Sequence, residues 1–451
     1  DNLHANYMAV IFPRRKNMTW EAEDKASNDV KKVKSILSYA KYMTSHPSWK
    51  QEASKLIYDY IDYGNCFSMM EWADYRIDRK DKQQVGYVGP IRKRISPLDI
   101  VFNPIASSFP ESPKIIRTLL TLGEVKEKLE NLSINENNEM YKKLFDYMYN
   151  LRMQIRNTSV PIAEKDNLYQ VDGFTSFRAY LTSDYVELLT FYGDIYDHEK
   201  NEYLRNYMIT VVDRHKIMIE KPHPSFFGYP PIFHSGWRIR QDNLWAMGPL
   251  DNLVGMQYLI DHTENMKADV LDMNVATPFV IKGYVDDFVW GPFARIYVGD
   301  DGEVIPVPPS FEVLKANIET ANYQTSMEEM AGSPKEAMGF RTPGEKTKFE
   351  VQRLENAASR IFNNKIKQFE EQQEEPNLNA GIELARRNMS TAQSVRVFND
   401  DFKINEFVTL SPEDITGFGR IKPLAARHFA EKAEQIQNFS EFLNSPAGQD
   451  E

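Results

Sequence analysis

The hydrophobic positions of this chain switch repeatedly between helical three-to-four spacing and two-residue alternation. Residues 20–63 follow the first pattern and predict two helices. The second is expected to start at Ser48, where Ser48 and Gln51 make an S-x-x-Q capping box. Leu56, Ile57, Tyr60 and Ile61 form its apolar stripe, and Gly64 is a left-handed stop. The stretch VGYVGPIRKRISPLDIVFNP then alternates and is cut by Pro90, Pro97 and Pro104, which predicts short strands and turns. Helices are expected over 123–131 and 139–157, and strands over 185–197 and 206–219. Residues 221–237, KPHPSFFGYPPIFHSGW, predict an ordered loop, because so many aromatic rings need burial.

From 250 to 272 the pattern is helical again. Leu253, Gln257, Ile260, Glu264, Lys267 and Leu271 share a partly apolar face. Asp251, Asp261, Glu264, Asp269 and Asp272 make this helix acidic. A small β-rich insertion follows, with strands in TPFVIKG, ARIYVG and VIPVPP and a hairpin turn at GDDGE. Next comes a second acidic helix with Glu312, Glu319, Glu328 and Glu329, then a breaker-rich loop, SPKEAMGFRTPGEK. A long amphipathic helix is expected from about 343 to 373, with Val351, Leu354, Ala358, Ile361, Phe362, Ile366 and Phe369 on one face. VRVFN and KINEFVTL predict a strand pair within 394–410. Ser411 through Asp414 read as an N-cap with proline at the first helical position. A last helix is expected over 423–444. The class these elements imply is a helix-rich α+β protein of two or three domains.

Composition narrows the function. The chain has 451 residues, 42% of them hydrophobic and 26% charged, which suits a soluble globular protein. No apolar run approaches the roughly 20 residues that cross a bilayer, and no signal-peptide pattern stands at the N-terminus. A net charge of −11 argues against non-specific gripping of phosphates, yet suits a polyanion held loosely. The histidines have no H-x-x-x-H spacing and there is no C-x-x-C, so no metal site is expected. Cys66, the only cysteine, reads as a buried structural thiol and implies assembly in a reducing compartment.

The segment from Gly339 to Thr347 imitates a phosphate-binding loop with one residue too many. Glu345 stands where the motif needs lysine, and the loop follows a helix, not a strand. Thr342, Pro343 and Glu345 instead make a T-x-x-E capping box. Asp286–Asp287 and Glu328–Glu329 are sequence neighbours whose side chains diverge, so solvated surface is the default over a metal pair. Asp213-Arg214-His215 fits an acid–base group or a bend between strands. Arg92-Lys93-Arg94 and Arg386-Arg387 fit a solvated face or inter-subunit salt bridges. Arg341 and Lys346 lie in or beside the exposed loop and suit a transient phosphate contact.

The order of elements, together with three stretches, resembles the portal proteins of tailed bacteriophages, especially the short-tailed, crAss-like group. FGYPPIFHSGWRIRQDNLWAMGPLDNLVGMQYLID is similar to the family's lead-in to its first stem helix. EAMGFRTPGEKTKFEVQRLENAASRIF resembles the tunnel loop and following long helix. LNAGIELARRNM and DITGFGRIKPLAARHFAEKAEQIQNF resemble the return into the wing. The resemblance implies a wing over 1–249 and 349–422. It implies stem helices over 250–272 and 311–332, a clip over 273–310, a tunnel loop over 333–348, and the start of a crown over 423–451.

It further implies a non-enzymatic, cofactor-free ring of about twelve copies at one capsid vertex, assembled in the host cytoplasm and retained in the virion. Its expected partners are the major capsid protein, the terminase large subunit, head–tail adaptor and tail proteins, and the double-stranded DNA it conducts; no membrane is involved. Lys335, Phe340, Arg341 and Lys346 would be the tunnel-loop contacts, and Asp261, Glu264 and Glu319 the acidic channel lining. Twelve helices about 10 Å apart would leave a lumen near 28 Å, wide enough for a duplex. The alternatives are an ATP-dependent nucleic-acid enzyme using the Gly339–Thr347 loop, and a head-completion adaptor with no DNA path.

Overall fold

A computed structural model describes residues 2–12, 18–79, 82–133, 138–157, 185–198, 201–214, 216–223, 230–275, 279–283, 297–306, 317–330, 364–389, 392–399 and 404–423. Helices and strands are mixed, and the chain divides into two compact units. One unit is Asp1–Met247 with Lys367–Glu451; the other is Gly248–Ile366.

The first unit begins with helix α1, Asn2–Ile11, and strand β1, Met18–Ala22. The two expected helices follow as α2, Val30–Ser45, and α3, Pro47–Asp62. Their first expected residues belong instead to β1. The cap of α3 also differs from the Ser48–Gln51 box. His46 is the N-cap, its Nδ1 accepting from Ser48 N at 3.4 Å, because Pro47 takes the first helical position, where a missing N–H costs nothing. Gly64, at φ +66°, stops the helix as expected.

Where short strands were expected around three prolines, a long hairpin forms from β2, Asn65–Arg79, and β3, Lys82–Ile95. Pro90 sits inside β3 opposite Trp72. It is tolerated because β3 is an outer strand. Strands β4, Ile100–Phe102, and β5, Lys114–Thr121, lead into α4, Leu122–Ser133, and α5, Asn138–Asn157. Strand β6, Tyr185–Asp197, follows. The single strand expected over 206–219 is two, β7, Glu202–Val212, and β8, Lys216–Pro222. Asp213 and Arg214, at φ +47° and +60°, turn the chain between them. The sheet β4-β5-β6-β7-β8 is antiparallel throughout. Val125, Leu129, Leu144 and Met148 of the two helices pack on Val186, Leu188, Val212 and Met218. The aromatic loop contains a further strand, β9, Ile232–Gly236, on the open side of β2.

The second unit holds helix α6, Val254–Val275, strands β10, Phe279–Lys282, and β11, Glu303–Pro306, and helix α7, Asn317–Met330. β10 pairs antiparallel with β11. A turn forms at GDDGE, with Gly302 N donating to Gly299 O at 2.9 Å, but it is not the expected hairpin tip. Among the described residues β11 pairs with β10, earlier in the chain at Lys282↔Glu303, and not with a strand directly before the turn.

The chain returns to the first unit through a helix that does not end near 373. A π turn, Glu370–Glu374, is followed directly by α8, Glu375–Asn388. Pro376 cannot donate to the carbonyl four residues back, and the wider π turn accommodates this, with Glu375 N reaching Glu370 O. Strands β12, Gln393–Asn399, and β13, Ile404–Leu410, form the expected pair. Ser411 N and Oγ donate to the Asp414 carboxylate at 2.8 and 2.7 Å, but only a single turn follows that cap. The chain then enters β14, Gly419–Pro423, which pairs with β1. The tunnel loop, the start of the long helix over 343–363 and the last helix beyond Pro423 lie outside the described residues.

The main core joins the two ends of the chain. Trp20, Ile36, Tyr39, Met43, Trp49 and Met70 pack with Leu378, Ile382, Val395 and Ile421. Gly381 lets α8 approach α2, since a Cβ there would lie 2.3 Å from Met43 Sδ. A buried ion pair crosses this core. Arg92 Nη1 donates to Glu374 Oε1 at 2.5 Å, Nη2 donates to Trp49 O at 3.0 Å, and the guanidinium lies 4.3 Å over the Trp49 ring. Arg92 is therefore not on a solvated face, and Arg94 forks onto Asp59; Lys93 is exposed, as expected, and pairs with Glu71. Arg386 likewise binds Glu383 and the carbonyls of Ile415 and Gly417.

A second core surrounds His234, which stacks on Phe67 with ring centroids 4.7 Å apart. Asn65 Nδ2 donates to the carbonyls of Tyr63 and Ala246, so Asn65 Oδ1 accepts from His234 Nε2 at 3.0 Å. Burial pushes this imidazole down to about 4. His223 is also pushed down to about 4 by burial.

Two predictions follow from these contacts. Arg92→Met strands the Glu374 carboxylate and should cost about 3–5 kcal/mol in denaturant unfolding. Arg92→Met with Glu374→Met should recover most of that loss, a coupling that a double-mutant cycle measures. The histidines give the second. Their folded-state values lie below the unfolded value near 6.5, so the unfolded chain binds more protons between pH 6.5 and 4. Stability should therefore hold above pH 6.5 and fall through that window, with up to about 3 kcal/mol of the loss traceable to His234. Comparing wild type with His234→Phe across the window isolates that share.

Candidate functional site

The residues expected to meet DNA fall in the second unit. Helix α6 has no internal proline and one glycine, Gly255, near its start, so nothing interrupts it over about 33 Å. It packs on α7 through a narrow seam. Ile260 and Lys267 of α6 and Thr320 of α7 are buried there, flanked by half-buried Met256, Thr263 and Val270. The seam is thus rotated away from the expected face, on which Gln257, Glu264 and Leu271 remain exposed.

The seam is polar at its centre. Lys267 Nζ donates to Glu264 Oε1 at 2.7 Å and to Thr320 Oγ1 at 3.1 Å. Thr320 Oγ1 also donates to Glu264 Oε1 at 3.4 Å. The lysine hydrogen bond and charge hold the Glu264 carboxyl below its usual range. Of the three acids expected to line a channel, Glu264 therefore faces a cation of its own helix. Asp261 is exposed and accepts from Gln257 Nε2 at 2.8 Å. Glu319 is exposed on the first turn of α7, where a carboxylate suits the helix dipole.

The 3.6-residue repeat sorts the remainder of α6 into faces. Opposite the seam lie Asp261, Asn265, Asp269 and Asp272, all exposed, with Val254 and Tyr258 at the N-terminal end. About 100° around the helix, Leu259, Met266 and Met273 form an exposed apolar line at seven-residue spacing. About 100° the other way lie Gln257, Glu264 and Leu271. Sequence reasoning counted Asp269 and Asp272 as acidic but did not place them beside Asp261. The signal was the inward turn of Lys267, which a partly apolar face left open.

Lys335, Phe340, Arg341 and Lys346 lie outside the described residues, as do the Gly339–Thr347 loop and Asp286–Asp287. The backbone of Glu328–Glu329 belongs to α7.

In the first unit, Asp213 and Arg214 are committed to ion pairs. The Asp213 carboxylate accepts from Arg152 Nη1 at 3.0 Å and Nη2 at 3.3 Å, and from Glu187 N at 3.3 Å. Arg214 forks onto Glu187 at 2.8 and 3.1 Å. This closed network braces a turn between strands. Cys66 is buried, its thiol donates to Ser235 O at 3.7 Å, and burial pushes its pKa well up, which suits packing and not reactivity.

Among the described residues, no group of three His, Cys, Asp or Glu side chains could hold a metal, and no helix is long and apolar enough to cross a membrane. Compared with known protein families and with curated proteins, the chain matches no family model and no curated sequence.

Proposed function

We propose that this chain is the portal subunit of a tailed, short-tailed bacteriophage of the crAss-like kind, forming a ring of about twelve copies that conducts double-stranded DNA. The observation that carries the reading is the division of α6 into faces. In a closed ring, the direction toward the axis and the direction toward a neighbour differ by roughly 90°, because cyclic symmetry repeats one head-to-tail contact. The acidic face and the apolar line of α6 are separated by about 100°. If Asp261, Asp269 and Asp272 face the axis, Leu259, Met266 and Met273 face one neighbour, Leu271 faces the other, and α7 lies outside. This arrangement buries the apolar line and leaves the acids in water.

The acids then have a physical role. Carboxylates around a duplex repel its phosphates from every side and keep it centred, while salt limits the effect to about 10 Å. A ring that conducts DNA without chemistry fits these groups better than a nucleotide-hydrolysing enzyme, since Glu345 opposes phosphate in the only loop that imitates such a site. On this reading the energy for translocation comes from the terminase. The ring docks the terminase during packaging and the adaptor and tail proteins afterwards, is seated in the major capsid protein shell, and stays in the virion.

Electron micrographs of the purified chain should contain rings with about twelvefold symmetry; a strict monomer at assembly concentrations refutes the proposal. A second expectation concerns the acids. Asp261→Asn, Asp269→Asn and Asp272→Asn together should leave ring formation intact but slow DNA passage and increase DNA retained by purified rings at low salt. Unchanged retention would refute a channel-lining role for these three residues.

A further inference from the structure

Strand β9 is the outer strand of the sheet ordered β3-β2-β9. Its backbone groups alternate in direction. Pro231 O accepts from Met70 N at 3.1 Å, and Trp237 N donates to Gly64 O at 2.8 Å. Odd-numbered positions from 231 to 237 therefore face β2, and even-numbered positions face away from it. Gly236 fixes the same phase from the other side. Its N–H donates to Gln372 Oε1 at 3.3 Å, and its carbonyl accepts from Gln368 Nε2 at 2.7 Å. Ile232 N–H is taken by Pro230 O at 2.7 Å. The C=O of Ile232 and the N–H and C=O of His234 remain, directed outward with no partner among the described residues.

An open strand edge is a template for another strand, and folded proteins usually cover it. Here it borders a cleft of about 700 Å³ lined by Ile232, His234 and Gly236. Phe109 and Leu244 give the cleft apolar walls. The loop carrying Phe109 is tied down by buried Lys114, whose Nζ donates to Pro110 O at 3.0 Å. Gln372 also lines the cleft. Its Oε1 is occupied by Ser235 Oγ and Gly236 N, so its Nε2 is left as a donor. Arg240 and Asp242 stand on the rim, both exposed and without an ion-pair partner among the described residues.

We propose that this cleft is a strand-addition site, which takes an extended peptide segment of a partner protein onto the edge of β9 at His234. Main-chain hydrogen bonds to His234 supply the register. An apolar side chain of the segment fills the space between Phe109 and Leu244, and an acidic residue meets Arg240 on the rim. Main-chain pairing makes the site tolerant of side-chain identity, while the walls and rim select an apolar residue near an acid. This site is independent of the α6 faces, so its test does not depend on ring formation.

The probe is a fluorescent, end-capped seven-residue peptide that alternates valine and threonine and closes with glutamate, titrated with the full chain and read by anisotropy. Saturable binding with a Kd below about 1 mM is expected. N-methylation of the central backbone amides should weaken it at least tenfold, and Arg240→Glu should weaken it as well. His234→Pro deletes the outward N–H while leaving the β2 ladder its bonds, and should not bind. If the proline variant fails to fold, the N-methylated peptide tested on the wild-type chain still decides. Equal binding of the methylated and unmethylated peptides overturns the proposal, and so does the absence of saturable binding up to that limit.

Discussion

The contact between Arg92 and Glu374 is the constraint on which the first unit depends. It joins residues 282 positions apart and draws Trp49 of a third segment into the same place. A guanidinium and a carboxylate removed from water are tolerable only when each is held by the other. The pair therefore specifies where the returning helix meets β3 and α3. Neighbouring contacts repeat the lesson in neutral form. Asn377 and Ser68 bond across 309 positions, and Gln372 reaches Ser235 and Gly236. The π turn places Gln372 and Glu374 on their respective partners and accommodates Pro376, which cannot donate to the carbonyl four residues back. One backbone irregularity thus sets the register of several long-range contacts.

Elements whose signal is local were legible. Helices α4 and α5, strand β6 and the pair β12–β13 announce themselves through spacing within one segment. What escaped was pairing between distant segments. β1 and β14 lie about 400 residues apart, and neither stretch carries a strand signal strong enough to stand alone. β9 was hidden inside an aromatic, proline-rich stretch whose burial was anticipated but whose pairing with β2 was not. Charge misled in the same way. Arg92 looks like its neighbours Lys93 and Arg94, and only the partner on a distant helix distinguishes it.

The acidic helix was legible in composition but not in rotation. Glu264, Asp261, Asp269 and Asp272 are equivalent as letters, yet Lys267 separates them. By turning into the seam it captures Glu264 and leaves the other three on the opposite face. A lysine on an otherwise acidic helix would ordinarily be placed in solvent, because its ammonium is strongly hydrated. The two hydrogen bonds to Glu264 and Thr320 compensate that preference here.

That seam also limits what the second unit can be by itself. Only Ile260, Lys267 and Thr320 are buried among the described residues of α6 and α7, so the helix pair has almost no apolar core. Short helices gain most of their stability from packing an apolar face. The apolar face of α6 points elsewhere, along Leu259, Met266 and Met273, at roughly a right angle to the seam. A helix arranged this way places its strongest stabilising surface where its own partner helix cannot reach. Its order then depends on contact with something beyond the pair, and whatever buries the apolar line also fixes the direction of the acids, because both are rigidly part of one helix.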